Sequence, residues 1–212
     1  MTIARTFTIF ILTFVSFTLA SQVDSVEHIF GSNPNWFEES KYASWENGLL
    51  ISIRNDDDSR DTISLKDIIL GNDQSTMFRD QNNQVVNYKT LQNKVILLDF
   101  WFIRCPPCIV DLPGLDLLND KVNSSEFEII TFANDSMPEI RNKLLSKREF
   151  NFRIIPNVFI VNNSYPYKVL IGRDQTFVDS KVGGTVGAGS IKSLLDKYVP
   201  LVTAELKKIR GH

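Results

Sequence analysis

A chain of 212 residues, 43% hydrophobic and 23% charged, suits one ordinary domain with an appendage, or at most two small domains, around a real core. Its formal charge of -2 leaves no basic excess, so composition gives no argument for nucleic acid or an anionic membrane as partner. Two histidines, His28 and His212, stand near the two ends, and the chain has two cysteines, so metal and histidine-base chemistry start with few residues.

In chain order, residues 1–20 read as an export signal. Arg5 supplies the positive end, Phe7 to Ala20 is an apolar stretch, and Thr18-Leu19-Ala20 closes it with small residues. The stretch is shorter than the roughly 20 apolar residues of a spanning helix. Cleavage near Ala20 is expected, with an uncleaved N-terminal membrane anchor as the alternative. No cysteine follows to carry a lipid, so no lipid anchor is expected. The mature protein is then expected to be extracytoplasmic, periplasmic in a bacterial host.

Residues 21–75 form a polar extension whose role the sequence does not reveal. Within it, Leu49–Ile53 reads as a strand, 55–59 as a solvated turn, and Thr62–Ile68 as a strand running into a helical turn. Trp36 and Trp45 are expected to pack this extension on the main domain.

A more regular rhythm over 76–212 marks the main domain. Val85–Tyr88 reads as a short strand, and Val95–Trp101 as a strand buried on both faces. Cys108–Val122 has apolar positions Ile109, Leu112, Leu115, Leu118 and Val122 at helical spacing. Phe127–Phe132 is another buried strand. Ser136-Met-Pro-Glu139 is a capping box opening a helix to about Lys147. Tyr167–Ile171 and Phe177–Val182 alternate around Gly172–Gln175 as a hairpin, and Ile191–Tyr198 starts a final helix that Pro200 is expected to interrupt before Leu201–Ile209. This order predicts an α/β fold with a central mixed sheet and helices on both faces.

The two cysteines form one motif, Cys105-Pro106-Pro107-Cys108, directly after the Val95–Trp101 strand. A loop so short removes little chain entropy when closed, so the pair suits reactivity better than stabilisation. A third class of reading, metal binding, needs ligands beyond two thiolates, and the two histidines are poorly placed to supply them; no metal and no cofactor are expected.

The segment Asn93 to Pro113 resembles the active-site region of the thioredoxin superfamily, most closely the TlpA/ResA-like branch of exported thiol–disulfide oxidoreductases. The likeness rests on an acid, Asp99, six residues before the first cysteine, on Phe100-Trp101 before the motif, and on Pro113 five residues after the second. It extends over residues 76–212. The resemblance implies a thioredoxin-like fold with Cys105 as nucleophile at a helix N-terminus, where such thiols have pKa values lowered to roughly 3.5–7.5. Arg104 either adds positive potential there or points to solvent. Cys108 is implied as the resolving thiol one turn inside the helix.

Asp99 matches the aspartate through which thioredoxins exchange a proton with the buried thiol; many TlpA/ResA-like proteins have asparagine there, which loosens the assignment to that branch. Asp111 stands where that branch often has a thiol-tuning glutamate, and a plain solvated helix acid is the other reading. The family places a cis-proline opposite the disulfide. Pro156 and Pro166 can both fill this role, and Pro166 is favoured because Tyr165–Gly184 matches the strand–turn–strand–glycine ending. Tyr165, Pro166, Trp101, Pro106 and Pro107 are then the expected substrate-binding residues, Tyr165 through its main chain, and Trp101 as half core and half wall of the site. Pro113 is expected to kink the helix.

The resemblance thus implies exchange with protein thiols and disulfides, as a reductase serving cytochrome c maturation or envelope thiols and fed by a membrane electron donor. An oxidant or isomerase of the same fold is the alternative, and so is a binding protein with a vestigial redox domain. Asn123, Asn134 and Asn162 begin triplets that read as glycosylation sequons in a eukaryotic host.

Overall fold

The structure is a computed structural model and describes residues 45–208 apart from 46–47, 56, 58, 71–77, 87, 162–163 and 188. The export signal, both histidines, Trp36 and Asn162 lie outside the described residues.

The elements run β1 (Leu50–Arg54), β2 (Arg60–Ser64), α1 (Leu65–Leu70), β3 (Phe78–Arg79), β4 (Val85–Val86), α2 (Tyr88–Leu91), β5 (Val95–Trp101), α3 (Pro106–Val122), β6 (Phe127–Ala133) and α4 (Met137–Ile140), followed by β7 (Arg153–Ile155), β8 (Val158–Ile160), β9 (Tyr167–Ile171), β10 (Phe177–Val182) and α5 (Gly189–Lys207). A five-stranded mixed sheet has the order β10-β9-β5-β6-β7, with β5, β6 and β7 parallel and β9 and β10 antiparallel to their neighbours. This is the thioredoxin-like arrangement.

Strand β5 sits at the centre because all seven of its residues are buried, and its period-2 alternation sorts the core. Ile96, Leu98 and Phe100 face one apolar cluster with Phe132, Val169 and Ile171. Val95, Leu97 and Trp101 face a second, closed by Cys108, Leu112 and Leu115 of α3 and by Leu194, Tyr198 and Val202 of α5.

The first cluster is closed by the described part of the extension. Leu49, Ile51, Leu65 and Ile68 are buried there, together with Trp45. Strand β1 pairs antiparallel with β2 and also with β8, Ile51 standing opposite Ile160. So one sheet face is covered by long helices, and the other by short helix α1 and a three-stranded sheet β2-β1-β8.

Four expectations need correction. Strands β7 and β8 are additional to the expected elements; the partner of β8 is β1, far away in sequence, so no local pattern announces the pairing. The expected strand over 85–88 is two residues of β4 followed by the turn of helix α2. The Ser136 capping box does not form reciprocally: its hydroxyl lies 3.4 Å from the Glu139 carboxylate and caps no backbone N–H. The chain then widens into π-type turns over Arg141–Leu145, with the Ser146 N–H bonding to the Arg141 carbonyl at 2.9 Å. Finally, α5 continues past Pro200. Pro200 is exposed, while Tyr198, Val202 and Glu205 stay buried on one face across it. Burial of that face outweighs the missing hydrogen bond.

Candidate active site

The site lies at the C-terminal ends of the parallel strands β5 and β6, where the chain must leave the sheet. The loop after β5 is stitched to the loop after β6. The Asn134 N–H bonds to the Trp101 carbonyl at 3.0 Å, and the Ile103 N–H to Asp135 Oδ2 at 2.6 Å. The Asn157 N–H then bonds to the Asp135 carbonyl at 3.1 Å. Asp135 therefore fixes the approach to Cys105, and sequence reasoning missed it because both its contacts are long-range.

Cys105 is the N-cap of α3, with its own N–H bonded to the Phe102 carbonyl at 3.1 Å. Pro106 and Pro107 follow at the first two helical positions, where a missing N–H costs the helix nothing. Cys105 and Cys108 are joined in a disulfide. Cys105 is 5% exposed and Cys108 0%, so the sulfur nearer the helix start is the one within reach of solvent. Pro106 is exposed and Arg104 points into solvent. Pro113 lies within α3, which continues through it to Val122.

The Tyr165–Pro166 peptide is cis, and it is the only cis bond among the described residues, so Pro156 does not fill that role. Glycines bring this turn to the motif. The Gly183 N–H bonds to the Pro166 carbonyl at 2.8 Å. A Cβ on Gly184 would lie 3.1 Å from Pro166 Cγ, 3.2 Å from Pro107 Cβ and 3.3 Å from Asp111 Oδ2. A side chain at 184 would press these three groups apart by a few tenths of an ångström. The ring of Tyr165 stands edge-on to Phe102 at 5.2 Å, joining the proline turn to the loop before Cys105. Burial raises the Tyr165 hydroxyl well above the ordinary tyrosine value.

Trp101 corrects an expectation: it is wholly buried, so it cannot form half of a wall open to substrate. The pleat of β5 turns it to the α3 face alongside Leu97, inside the helix-covered cluster.

Asp99 lies on the same face, fully buried, with Lys168 of β9 opposite it in register. The Lys168 ammonium, on a residue 2% exposed, stands 3.0 Å from Asp99 Oδ1 and 2.9 Å from Asp111 Oδ2. Asp111 is buried as well, which removes the solvated-acid reading; its other oxygen accepts from the Ser190 hydroxyl of α5 at 2.5 Å. Burial pushes the Asp99 carboxyl up to about 6 against the pull of Lys168, with the Asp111 charge adding to the rise. The two acids hold Lys168 protonated despite its burial.

Lys168 and Ser190 were missed by the sequence reading. One signal was available: within the Tyr167–Ile171 strand, Lys168 shares the face of Leu170, which a strand lodged inside a sheet must bury. Among the described residues no three His, Cys, Asp or Glu side chains are grouped to hold a metal ion, and no helix is long and apolar enough to cross a membrane.

No family model and no curated protein matches the chain. Solved structures do. A Bacteroides thetaiotaomicron protein provisionally described as a protein disulfide isomerase is 15% identical, with a TM-score of 0.51 over 63% of this chain and 86% of its own. A secreted Mycobacterium tuberculosis disulfide oxidoreductase, described as homologous to E. coli DsbE, is 19% identical, with a TM-score of 0.49 over 61% of this chain and 95% of its own. A thiol:disulfide interchange protein of the thioredoxin family from Chlorobium tepidum is 14% identical, with a TM-score of 0.48 over 62% of this chain and 92% of its own. At such identities the likeness establishes the fold, and the first of the three carries it.

Proposed function

We propose that this protein is a thiol–disulfide oxidoreductase that reduces disulfides in exported polypeptides through the Cys105–Cys108 pair. The observation that carries the reading is the disulfide at the start of α3, where Gly184 lies between Pro107 of the motif and the cis-Pro166 turn, with a buried acid on the helix-covered face of the sheet.

In the reduced protein, the Cys105 thiolate attacks a sulfur of the substrate disulfide; a mixed disulfide forms and one substrate thiolate leaves. Cys108 gives its proton to Asp99, and its thiolate attacks the Cys105 sulfur. The enzyme disulfide forms and the second substrate thiolate departs. Two electrons have passed to the substrate, and a dithiol donor must restore them. The export signal over residues 1–20 supports an extracytoplasmic setting with the donor in the membrane. Substrate is an extended segment whose main chain pairs beside Tyr165 while Pro166, Pro106 and Pro107 bound the cleft.

The direction of transfer is supported by Pro106 and Pro107. A thiolate at a helix start is stabilised by the free N–H groups of the first turn. Two prolines remove two of those donors, so the reduced form gains less, and a couple whose reduced form is weakly stabilised is a reductant. Equilibration against dithiothreitol or glutathione buffers, with insulin reduction assayed alongside, tests this. A potential near about -270 mV supports the reductase, whereas one near about -120 mV contradicts it and favours an oxidant.

A further inference from the structure

The central sheet ends on one side at β10, whose outer edge takes no part in the chemistry above. We propose that this edge is a self-association surface: two copies of the chain join β10 to β10, antiparallel about Ser180, so that one continuous sheet runs through the dimer.

The backbone of β10 is set up for such pairing. In the sheet β10 neighbours only β9. The Gly183 N–H bonds to the Pro166 carbonyl at 2.8 Å, and from there the ladder pairs Val182 with Tyr167, Lys181 with Lys168, Ser180 with Val169 and Asp179 with Leu170. Hydrogen-bonded and non-hydrogen-bonded positions alternate along an antiparallel pair. Gly183, Lys181 and Asp179 therefore turn their N–H and C=O toward β9, while Ser180 and Val182 turn theirs outward. Among the described residues no other strand or loop bonds to those outward groups. An edge of this kind is a template for a further strand.

The side chains select a second copy as that strand and fix its register. Asp179 and Lys181 share one sheet face, opposite Leu170 and Lys168 of β9, and Ser180 between them points to the other. A twofold axis at Ser180 sets each Asp179 directly opposite the partner's Lys181, and the two copies of Ser180 exchange their outward N–H and C=O as a hydrogen-bonded pair. Moving the axis one residue either way sets two aspartates or two lysines face to face. Asp179 already has a cation within its own copy, Lys197 of α5 at 2.7 Å. Lys181 is partly exposed and has no ion pair among the described residues, and the pairing supplies its counter-charge.

Apolar residues close the two ends. Phe177, opposite Ile171, and Val182, opposite Tyr167, lie on the same sheet face and are 42% and 59% exposed. The axis at Ser180 brings Phe177 of each copy beside the partner's Val182, where both are withdrawn from water. The paired stretch ends at Val182, before Gly184 meets Pro107 and Pro166, so the interface leaves the motif open and does not depend on the redox reading. Two short strands bury less than a standard interface, so the dimer should be reversible, with a dissociation constant of about 1–100 μM.

Sedimentation velocity on the oxidised protein tests this, and wild type should pass from monomer to dimer between about 1 μM and about 1 mM. K181D sets acids face to face at both pairs and should weaken the dimer roughly tenfold or more. D179K sets lysines face to face and should do the same. Mixed one to one, K181D and D179K should recover a dimer, because every facing pair is then again of opposite charge. Far-UV circular dichroism checks that both variants fold. If one does not, hydrogen exchange of wild type decides: the Ser180 and Val182 amides should gain protection as the concentration rises through the transition. A protein that stays monomeric to about 1 mM, or a dimer that K181D leaves intact, overturns the proposal. So do edge amides protected only when an unfolded polypeptide is added, which would assign the edge to substrate.

Discussion

Replacing Asp99 by asparagine should make the oxidised protein more stable above neutrality and leave it nearly unchanged in acid. Burial in the folded protein lifts this carboxyl from 3.8 to about 6. The folded state therefore binds the proton more tightly than the unfolded chain does. By linkage, Asp99 costs nothing well below its unfolded value of 3.8, where both states are protonated, and its cost grows as pH rises through that value to about 6, then stays constant. At 1.36 kcal/mol per pH unit the full cost is about 3 kcal/mol. The amide introduced by D99N mimics the protonated acid in shape and neutrality, and Lys168 keeps its bond to Asp111. Urea denaturation of both proteins between pH 4 and pH 8 measures the difference directly. The advantage of D99N should grow by about 2–3 kcal/mol across that range. A difference independent of pH would refute it, because Asp99 would then ionise in the fold as easily as in water.

Three further outcomes follow from the packing. Ile51→Ala should cost about 2–5 kcal/mol by urea denaturation, since Ile51 is fully buried between β2 and β8; a loss below about 1 kcal/mol would make β1 a loose appendage. Gly184→Ala forces a methyl against Pro166, Pro107 and Asp111, and should cost about 1–3 kcal/mol while lowering kcat/KM for insulin reduction; an unchanged kcat/KM would separate this turn from the site. Pro200→Ala restores an N–H to an exposed position inside α5 and should raise stability by up to about 3 kcal/mol, whereas a loss would show that the proline ring itself is needed.

What the sequence made legible was whatever depends on neighbours in the chain. Strand β5 is bounded at Val95 and Trp101 as its apolar run predicts, and the hairpin of β9 and β10 falls within the bounds read from alternation. The isomer of the Tyr165–Pro166 bond agrees with the choice of Pro166 over Pro156. What escaped depends on partners distant in sequence. Strand β8 is three residues long and is completed only by β1, more than a hundred positions earlier (Ile51 with Ile160). Lys168 reads as an ordinary strand lysine until α3 and the centre of the sheet close over it. Its place just before the motif suggests Trp101 as a wall, but strand parity decides its side. Local backbone chemistry makes Pro200 a break, and a buried helix face overrides it.

The central claim is that Cys105 and Cys108 exchange disulfides with a polypeptide, Cys105 leading. Trapping the mixed disulfide tests it most directly. Reduced C108S and C105S proteins are each incubated with a disulfide-containing unfolded polypeptide and resolved on a non-reducing gel. C108S should accumulate a covalent adduct that dithiothreitol dissolves, and C105S, whose remaining thiol is fully buried, should form little or none. Equal trapping by both, or none by C108S, would contradict it.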